Sequence, residues 1–289
     1  EKNRWGAFPS LSAAWKINEE DFMKSFETIS FLKLRGSFGI SGNSQIPSFS
    51  YLPTYAPKQR APSGAVHPND SFYPIALDNN WLATGLVPVR KENINAKWEE
   101  VAEFNFGADL GLWRNKINVT AEVYNRNGYD LLWTQNIPTT SGFSTTIVNI
   151  GKVRNRGIEL YFKSFNISNP EFTWVSELNF AYNENDVIDL GEIPPDKSQT
   201  QVMVEGYPRQ AFWGYISEGI FQSDEEVLEH AFQTGSPQEG DVKFRDVDGN
   251  DTINALDRTF LGNPVPPYTF GLNNRFSYKG FELTVFLQG

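Results

Sequence analysis

The sequence predicts an all-β fold built from long antiparallel strands, and three observations support this prediction. Residues 98–133 read as a hairpin in which apolar and polar side chains alternate with the period of two that a β-strand imposes. The two arms hold 15 and 17 residues, which exceeds the roughly 5 to 6 of ordinary strands and is long enough to cross a bilayer at a tilt. Trp98, Trp113 and Trp133 stand at the limits of the hairpin, where an interfacial aromatic belt would place them. A long hairpin in a soluble sandwich has the same pattern, so both a membrane barrel and a sandwich remain open.

Shorter stretches of the same alternation predict the other elements in chain order. A helical turn is expected near residues 19–22, and a helix is expected at 223–232, where Ser223 as N-cap is followed three residues later by Glu226. Short turns alternate with two long excursions, and eight strands result if the strand-like piece at 211–221 belongs to an excursion. The remaining predicted strands are residues 4–15, 31–40, 148–165, 172–183, 268–278 and 281–287.

Composition excludes several classes of function. The net charge of −10 and the scattered basic residues argue against nucleic-acid binding. The absence of cysteine removes disulfides, thiolate metal sites and cysteine nucleophiles. His67 and His230 are single histidines far apart in sequence, and no carboxylates stand in a motif that positions a nucleophile or a water, so the sequence predicts no catalytic residues and no enzyme.

An acidic stretch at residues 246–257 has the spacing of a calcium-binding EF-hand loop. Numbered from its first residue, it puts oxygen ligands at positions 1, 3, 5, 7, 9 and 12, and hard cations take six to eight such oxygens. The sequence departs from the usual pattern at position 6, where Asp251 replaces glycine, and at position 12, where aspartate replaces glutamate. An Asx-rich turn without metal is the alternative, and Arg245 and Arg258 could offset part of the charge. The predicted ligands of calcium, or of another hard divalent cation, are Asp246, Asp248, Asn250, Thr252, Asn254 and Asp257.

Several blocks of the chain together resemble a known family. They are WGAFPSLSAAWKINEEDFM, FLKLRGSFGISGN, YNRNGYDLLW, NIGKVRNRGIEL, VEGYP, FWGYISEGIFQ and the closing block GDVKFRDVDGNDTINALDRTFLGNPVPPYTFGLNNRFSYKGFELTVFLQG. In this order they resemble the carboxy-terminal barrel portion of the SusC/RagA family of TonB-dependent outer-membrane transporters of Bacteroidota. The resemblance covers nearly the whole chain.

The resemblance implies a fold, a location and partners. It implies an antiparallel up-and-down transmembrane β-barrel of 22 strands, of which residues 1–289 would supply about eight within one barrel domain. Residues 184–267 would be a long extracellular excursion that contains the EF-hand-like loop, and the plug and the TonB-contacting segment would precede residue 1. The implied function is TonB-driven import of oligosaccharides or oligopeptides across the outer membrane, in contact with its lipid, together with a SusD-like lipoprotein as an outer lid.

Two groups of side chains acquire a candidate role from this reading. Polar residues on the strands would line a wet lumen or contact the plug, although a solvated sheet face is their simpler explanation; they are Lys33, Arg35, Glu103, Asp109, Glu122 and Glu159. Aromatic residues of the 41–97 excursion would stack on sugar rings, contact the lid, or hold the loop together; they include Phe49, Tyr51, Tyr55, Phe72, Tyr73 and Trp81.

The rival interpretation is a secreted, calcium-stabilised β-sandwich that binds carbohydrate. A barrel leaves the apolar stripe of its strands exposed to lipid, whereas a sandwich buries that stripe against a second sheet. The side chains predicted to face outward are Phe104, Phe106, Leu110, Leu112, Ile117, Val119, Leu160, Phe162 and Leu178.

Overall fold

The computed structural model describes residues 3, 5–44, 49–57, 74–78, 81–84, 86–191, 197 and 199–289. These residues form two compact units that interleave along the chain. The first contains Glu1–Pro9, Ile40–Val101 and Gly128–Gly151, and the second contains Ser10–Gly39, Ala102–Asn127 and Lys152–Gly289. Among the described helices, none has the length and apolar character needed to cross a membrane.

An eight-stranded sheet dominates the second unit. Its strands lie side by side in chain order, so each is hydrogen-bonded to the strand before it in the sheet. The pairs β1–β2, β5–β6, β6–β7 and β7–β8 are antiparallel. The eight strands are β1 (Ser10–Lys16), β2 (Ile29–Asn43), β3 (Glu99–Leu112), β4 (Ile117–Tyr129), β5 (Lys152–Ser168), β6 (Phe172–Asp189), β7 (Tyr268–Tyr278) and β8 (Phe281–Gln288). The predicted eight strands and the up-and-down order that the resemblance implies are therefore confirmed.

The two faces of this sheet differ sharply in polarity. The strand registers set apolar residues beside one another in a row that crosses four strands, namely Phe162, Leu178, Leu272 and Leu287. The next row, on the opposite face, contains Lys163, Glu177 and Asn273 and ends at Phe286 on β8. Apolar side chains remain exposed, to 60% at Leu283 and 51% at Phe104, and none of those predicted to face outward is buried. The sandwich prediction, which requires these side chains to be buried, is not supported.

Short and long connections alternate between the strands. Three of the connections hold only two to four residues, 113–116, 169–171 and 279–280. The β1–β2 connection is longer and contains two 3-10 helices, Ile17–Glu19 and Asp21–Met23, which confirms the helical turn expected there. The other three connections are the excursions 44–98, 130–151 and 190–267. This is the asymmetry of outer-membrane barrels, in which short turns face the periplasm and long loops face outward.

The predicted excursion at residues 41–97 contains regular structure, although its sequence shows no sustained alternation. Four strands of the first unit fall in that span, Thr54–Pro57, Pro74–Asp78, Trp81–Thr84 and Leu86–Lys91. Two more, Leu132–Asn136 and Thr145–Asn149, complete a four-stranded sheet with the first and the last of these. Part of this sheet is held by distant pairing, because Thr145 lies opposite Arg90 in a parallel bridge that local periodicity does not reveal.

The central hairpin is shorter than the predicted 98–133. Its second arm ends at Tyr129, one residue before Asp130 adopts a left-handed conformation with φ of 56°. Trp133 therefore belongs to the smaller sheet, opposite Val148, and does not mark the end of the hairpin arm. Trp98 and Trp113 do flank β3, as predicted.

The 190–267 excursion has a hydrophobic core of its own. The strand-like piece predicted at residues 211–221 is not continuous. Residues 211–221 divide into two strands, Ala211–Gly214 and Ser217–Ile220, that belong to different small sheets. The helix begins after Ser223, whose hydroxyl accepts the amide of Glu226, but it ends at Glu229, because Phe232 pairs with Thr252. The strands are Gln201–Val202, Ala211–Gly214, Ser217–Ile220, Phe232–Gln233, Val242–Phe244, Thr252–Ile253 and Thr259–Gly262, with the helix Asp224–Glu229.

Candidate functional site

The acidic loop at residues 246–257 is folded by its own side chains. It follows the strand Val242–Phe244 and ends in the 3-10 helix Ala255–Asp257. Asp251, the residue in the place of the usual glycine, adopts φ of 59°, as its tolerance for the left-handed region allows. Ile253, at the apolar position 8 of the loop, is buried and anchors the loop to the excursion through its bridge to Gln233.

Three of the predicted metal ligands converge in this loop. Each of Asp246, Asp248 and Asp257 places a carboxylate oxygen within 4.8 Å of those of the other two. The Asp246 carboxylate accepts the amides of Gly249 at 2.8 Å and Asp251 at 2.7 Å. Three carboxylates at this separation repel one another, so a cation between them would lower the electrostatic free energy.

Asp257 is the most enclosed of the three carboxylates. Its side chain is fully buried and accepts the amides of Val247 and Asn254, each at 2.7 Å. A weaker contact from the amide of Asp248 is 3.4 Å long. The pKa of Asp257 lies below its usual value, first because of the Asn254 amide and then because of the Val247 and Asp248 amides. The loop therefore keeps this carboxylate ionised, as a metal ligand must be.

The other three predicted ligands are engaged in hydrogen bonds within the loop. Asn250 accepts the amide of Thr252 at 2.9 Å, and the carbonyl of Thr252 accepts the side-chain amide of Asn254 at 3.0 Å. The side-chain oxygen of Asn254 accepts the amide of Leu256 at 2.8 Å and caps the 3-10 helix. A cation would thus find the carboxylates in place, while these three oxygens would have to exchange or share their hydrogen bonds.

The two flanking arginines direct their charge away from the loop. Arg245 pairs with Glu218 at 2.8 Å. Arg258 donates to the carbonyls of Lys197, Gln199 and Trp213 at 2.6 to 3.1 Å. Within the described part of the chain, neither guanidinium forms an ion pair with a loop carboxylate. Neither arginine therefore offsets the charge of the loop through a direct ion pair.

The polar face of the sheet contains a second cluster, centred on Arg35. The Arg35 guanidinium hydrogen-bonds to Glu122 and lies 3.4 Å from a carboxylate oxygen of Asp109. Asn105 donates to the other Glu122 oxygen at 3.2 Å, and the Thr120 hydroxyl donates to Asp109 at 3.0 Å. Strands β2, β3 and β4 thus contribute one connected network on a single face.

The remaining residues of the predicted polar set are dispersed along this face. Glu103 pairs with Arg126 at 2.8 Å, a partner that the sequence reading missed although Arg126 shares the two-residue period of Glu122. Lys33 lies opposite Lys16 across the β1–β2 pair. Glu159 is exposed and borders a hollow of about 260 Å³ that Ala181 and Gly271 leave open through their small size.

The described histidine and one aromatic residue of the 41–97 excursion contact neighbouring groups of the protein. His230 contacts the carbonyl of Ala231 at 2.9 Å and meets the ring of Phe221 edge-on, with ring centroids 5.3 Å apart. Tyr55 lies against Phe143, with ring centroids 6.4 Å apart, which fits a role in holding the loop together. Phe49 and Tyr51 are exposed. His67, Phe72, Tyr73 and the side chain of Trp81 lie outside the described residues.

Comparison with known proteins adds a family relationship to this geometry. The sequence profile of the family described as TonB dependent receptor-like, beta-barrel matches residues 1–288. TonB-dependent receptor P39 of Formosa agariphila is 32% identical over 97% of this chain, and TonB-dependent receptor SusC of Bacteroides thetaiotaomicron is 28% identical over 99% of it. The solved structure of the RagAB peptide transporter superposes over the whole chain with a TM-score of 0.74 at 22% identity. The chain spans 28% and 27% of the lengths of the two relatives and 29% of the solved chain.

Proposed function

The chain belongs to the TonB-dependent receptor-like β-barrel family, and we propose that the full-length protein imports nutrients across the outer membrane with energy delivered through TonB. The eight-stranded sheet is a portion of an antiparallel outer-membrane barrel. As the relatives and the solved structure are more than three times as long as this chain, transport itself is assigned to a larger protein of which these residues form a part.

The observation that best supports this proposal is the two-faced sheet. Its apolar face is exposed on consecutive strands, and its polar face holds the Arg35 network, which is the arrangement of a barrel with lipid outside and water or a plug inside. We assign the Arg35 network, the Glu103–Arg126 pair and Glu159 to the inner wall. Residues 190–267, which follow a strand end opposite the short turns, are then an extracellular excursion.

The partners and substrates follow from the relatives and are proposed at the level of chemical class. A SusD-like lipoprotein covers the outer opening, and TonB engages the part of the protein outside residues 1–289. The substrate is an oligosaccharide or an oligopeptide. One structural neighbour is named as a peptide transporter, and this supports the second class. The protein performs no covalent chemistry, in keeping with relatives that are named as receptors.

Uptake by living cells tests the transport proposal. A strain that lacks the gene should fail to take up one class of fluorescent oligomer, and expression of the full-length protein should restore uptake. Uptake should stop when the proton gradient is collapsed, because TonB coupling depends on it. Uptake that is unchanged by the deletion for both oligosaccharides and oligopeptides would contradict the proposal.

We also propose that the acidic loop binds calcium, or another hard divalent cation, and thereby braces the extracellular excursion. The supporting observation is the convergence of Asp246, Asp248 and Asp257 within 4.8 Å while both flanking arginines bind elsewhere. Asn250, Thr252 and Asn254 would complete the ligand set through their oxygens.

Titration of calcium into the full-length protein tests this site. Asp246→Ala should abolish saturable binding and speed proteolysis within the excursion, with the barrel strands unaffected. Asp251→Asn is the matched control, because it removes one charge from the same loop at a position whose side chain is not a predicted ligand. If both variants bind calcium as the wild type does, or if the wild type shows no saturable binding, the loop is only a turn.

A further inference from the structure

A cleft of about 690 Å³ opens at the short-turn end of the sheet. It is bordered by the turn between β3 and β4, by the segment before β2 and by the end of β5, and we call it the rim cleft. Its border includes Glu27, Trp113, Arg114, Lys116, Ile117 and Asn166. Its volume falls within the range of ~300 to 1,000 Å³ that small-molecule sites occupy.

The β3–β4 turn beside the cleft has an unusual backbone. Trp113, Arg114 and Asn115 adopt φ of 50°, 58° and 59°, so three successive residues other than glycine lie in the left-handed region. This region is disfavoured for large side chains such as tryptophan, and such outliers concentrate at functional sites. The hydroxyl of Ser30 holds the turn by accepting the amides of Arg114 at 2.5 Å and Asn115 at 3.3 Å.

The rim cleft carries an excess of positive charge. Arg114 and Lys116 are both exposed, and in the described part of the chain neither side chain forms an ion pair. Glu27 is the one carboxylate among the residues that border the cleft, and it too is exposed. The cleft therefore presents two cations against one anion and is suited to an anionic group.

The cleft also adjoins apolar surface at a definite level of the membrane. Trp113 is 52% exposed, and Ile117 at the border of the cleft begins the apolar stripe of β4. In outer-membrane barrels short turns lie on the periplasmic side, and aromatic side chains gather where the apolar band meets the headgroups. Asn166, at an irregularity in the β5–β6 pairing, places a polar side chain at the same level.

We propose that the rim cleft binds the phosphate headgroup of an anionic phospholipid from the periplasmic leaflet. Arg114 and Lys116 contact the phosphate, and the acyl chains follow the apolar stripe that starts at Ile117. The side-chain amide of Asn166 donates one hydrogen to the Ser176 hydroxyl at 2.7 Å, and its second hydrogen donates to the glycerol or phosphate oxygens. The strained turn presents the two cations and Trp113 toward this headgroup. A soluble anion would gain from the charges alone, whereas a phospholipid also gains from the adjoining apolar surface.

The occupancy of the cleft is tested on the full-length protein in lipid nanodiscs of phosphatidylethanolamine with added phosphatidylglycerol. Native mass spectrometry should show retained phosphatidylglycerol on the wild type. The double variant Arg114→Gln with Lys116→Gln should bind it about 25-fold more weakly, from roughly a fivefold loss for each cation near the membrane surface. Heat-modifiable electrophoretic mobility checks that the variant barrel is folded.

A matched control removes the same charge from the same rim. Lys24, in the β1–β2 connection, pairs with Asp21, and Lys279, in the 279–280 turn, lies over the ring of Tyr278, so both are cations of the same rim outside the cleft. Lys24→Gln with Lys279→Gln should retain phosphatidylglycerol within twofold of the wild type. Equal losses in the two double variants would show a nonspecific charge effect and overturn the site, as would a folded Arg114/Lys116 variant that keeps its lipid.

Inorganic phosphate separates the two sources of the anion. Excess phosphate should leave the retained phospholipid in place, because it lacks the apolar contacts. If phosphate displaces the lipid completely at equal concentration, the cleft is a site for a free anion and the phospholipid proposal fails.

Discussion

Replacement of Asp257 by asparagine should loosen the acidic loop even when no metal is present. The buried carboxylate accepts the amides of Val247 and Asn254 at 2.7 Å each and thereby joins the two ends of the loop. Asparagine has nearly the same shape but carries an N–H₂ group in place of one oxygen. One of the two backbone amides would then face a donor, and the charge that strengthens the other bond would be lost.

The magnitude follows from these contacts. A hydrogen bond to a charged group contributes about 1.5 to 3 kcal/mol, and a buried donor without a partner costs about 1 to 3 kcal/mol. One weakened hydrogen bond and one backbone amide without an acceptor together lower the stability of the loop by about 3 kcal/mol. This corresponds to roughly a 100-fold rise in the local opening equilibrium. The barrel strands should be unaffected, because the loop belongs to the separate core of the excursion.

Hydrogen exchange on the full-length protein in a chelating buffer measures this opening directly. The amides of Val247 and Asn254 should exchange about 100-fold faster in Asp257→Asn than in the wild type. Asp251→Asn is the control, since the Asp251 side chain accepts no hydrogen bond among the described contacts and asparagine suits its φ of 59°. Equal exchange in the two variants would refute the role assigned to the buried carboxylate.

Three further predictions concern other parts of the chain. Leu178→Arg, on the apolar face, should destabilise the full-length barrel by about 2 to 4 kcal/mol if the site lies near the bilayer midplane. Asn179→Arg, on the polar face, should change the free energy of unfolding far less. Denaturant titration in lipid vesicles measures both. Ser223→Ala removes the cap that accepts the Glu226 amide at 3.3 Å and should weaken the short helix by about 1 kcal/mol, measured by exchange of its amides, while an unchanged rate would exclude a capping role. The pKa of Asp257 is lowered in the folded loop. Its contribution to loop stability is therefore present above the ordinary aspartate pKa of about 3.9 and is lost only as pH falls through the lower folded pKa. Protection of the loop amides from hydrogen exchange, corrected for intrinsic exchange, should persist through that ordinary range. Protection that disappears at the ordinary value would show that the carboxylate is not held as described.

Local periodicity was sufficient to predict the main sheet. Each of its strands alternates over enough residues to identify it, and the register follows once neighbours pair, as Leu178 between Phe162 and Leu272 illustrates. The Ser223 cap was readable for the same reason, since its signal lies within three residues. Features that depend on side chains near in sequence are thus recoverable from the sequence alone.

Features that depend on distant partners were not recoverable. The strand Leu86–Lys91 is held in part by a parallel bridge to Thr145–Asn149, more than fifty residues away. The helix predicted at 223–232 ends at Glu229, because Phe232 pairs with Thr252 in a small sheet. In the acidic loop the spacing located the carboxylates, but only the folded geometry shows that Asn254 caps a 3-10 helix.

Alternating contact with lipid and water along one strand tests the central claim most directly. The 289 residues contain no cysteine, so single cysteines can be introduced along β6 and spin-labelled in the full-length protein, with any cysteines elsewhere in it replaced. In lipid vesicles, labels at Leu178, Phe180 and Tyr182 should be accessible to dissolved oxygen, and labels at Asn179 and Ala181 should be accessible to a water-soluble nickel complex. A period of two with this phase is the predicted result. Loss of the alternation, or the opposite phase, would contradict the assignment of this sheet to the wall of an outer-membrane barrel.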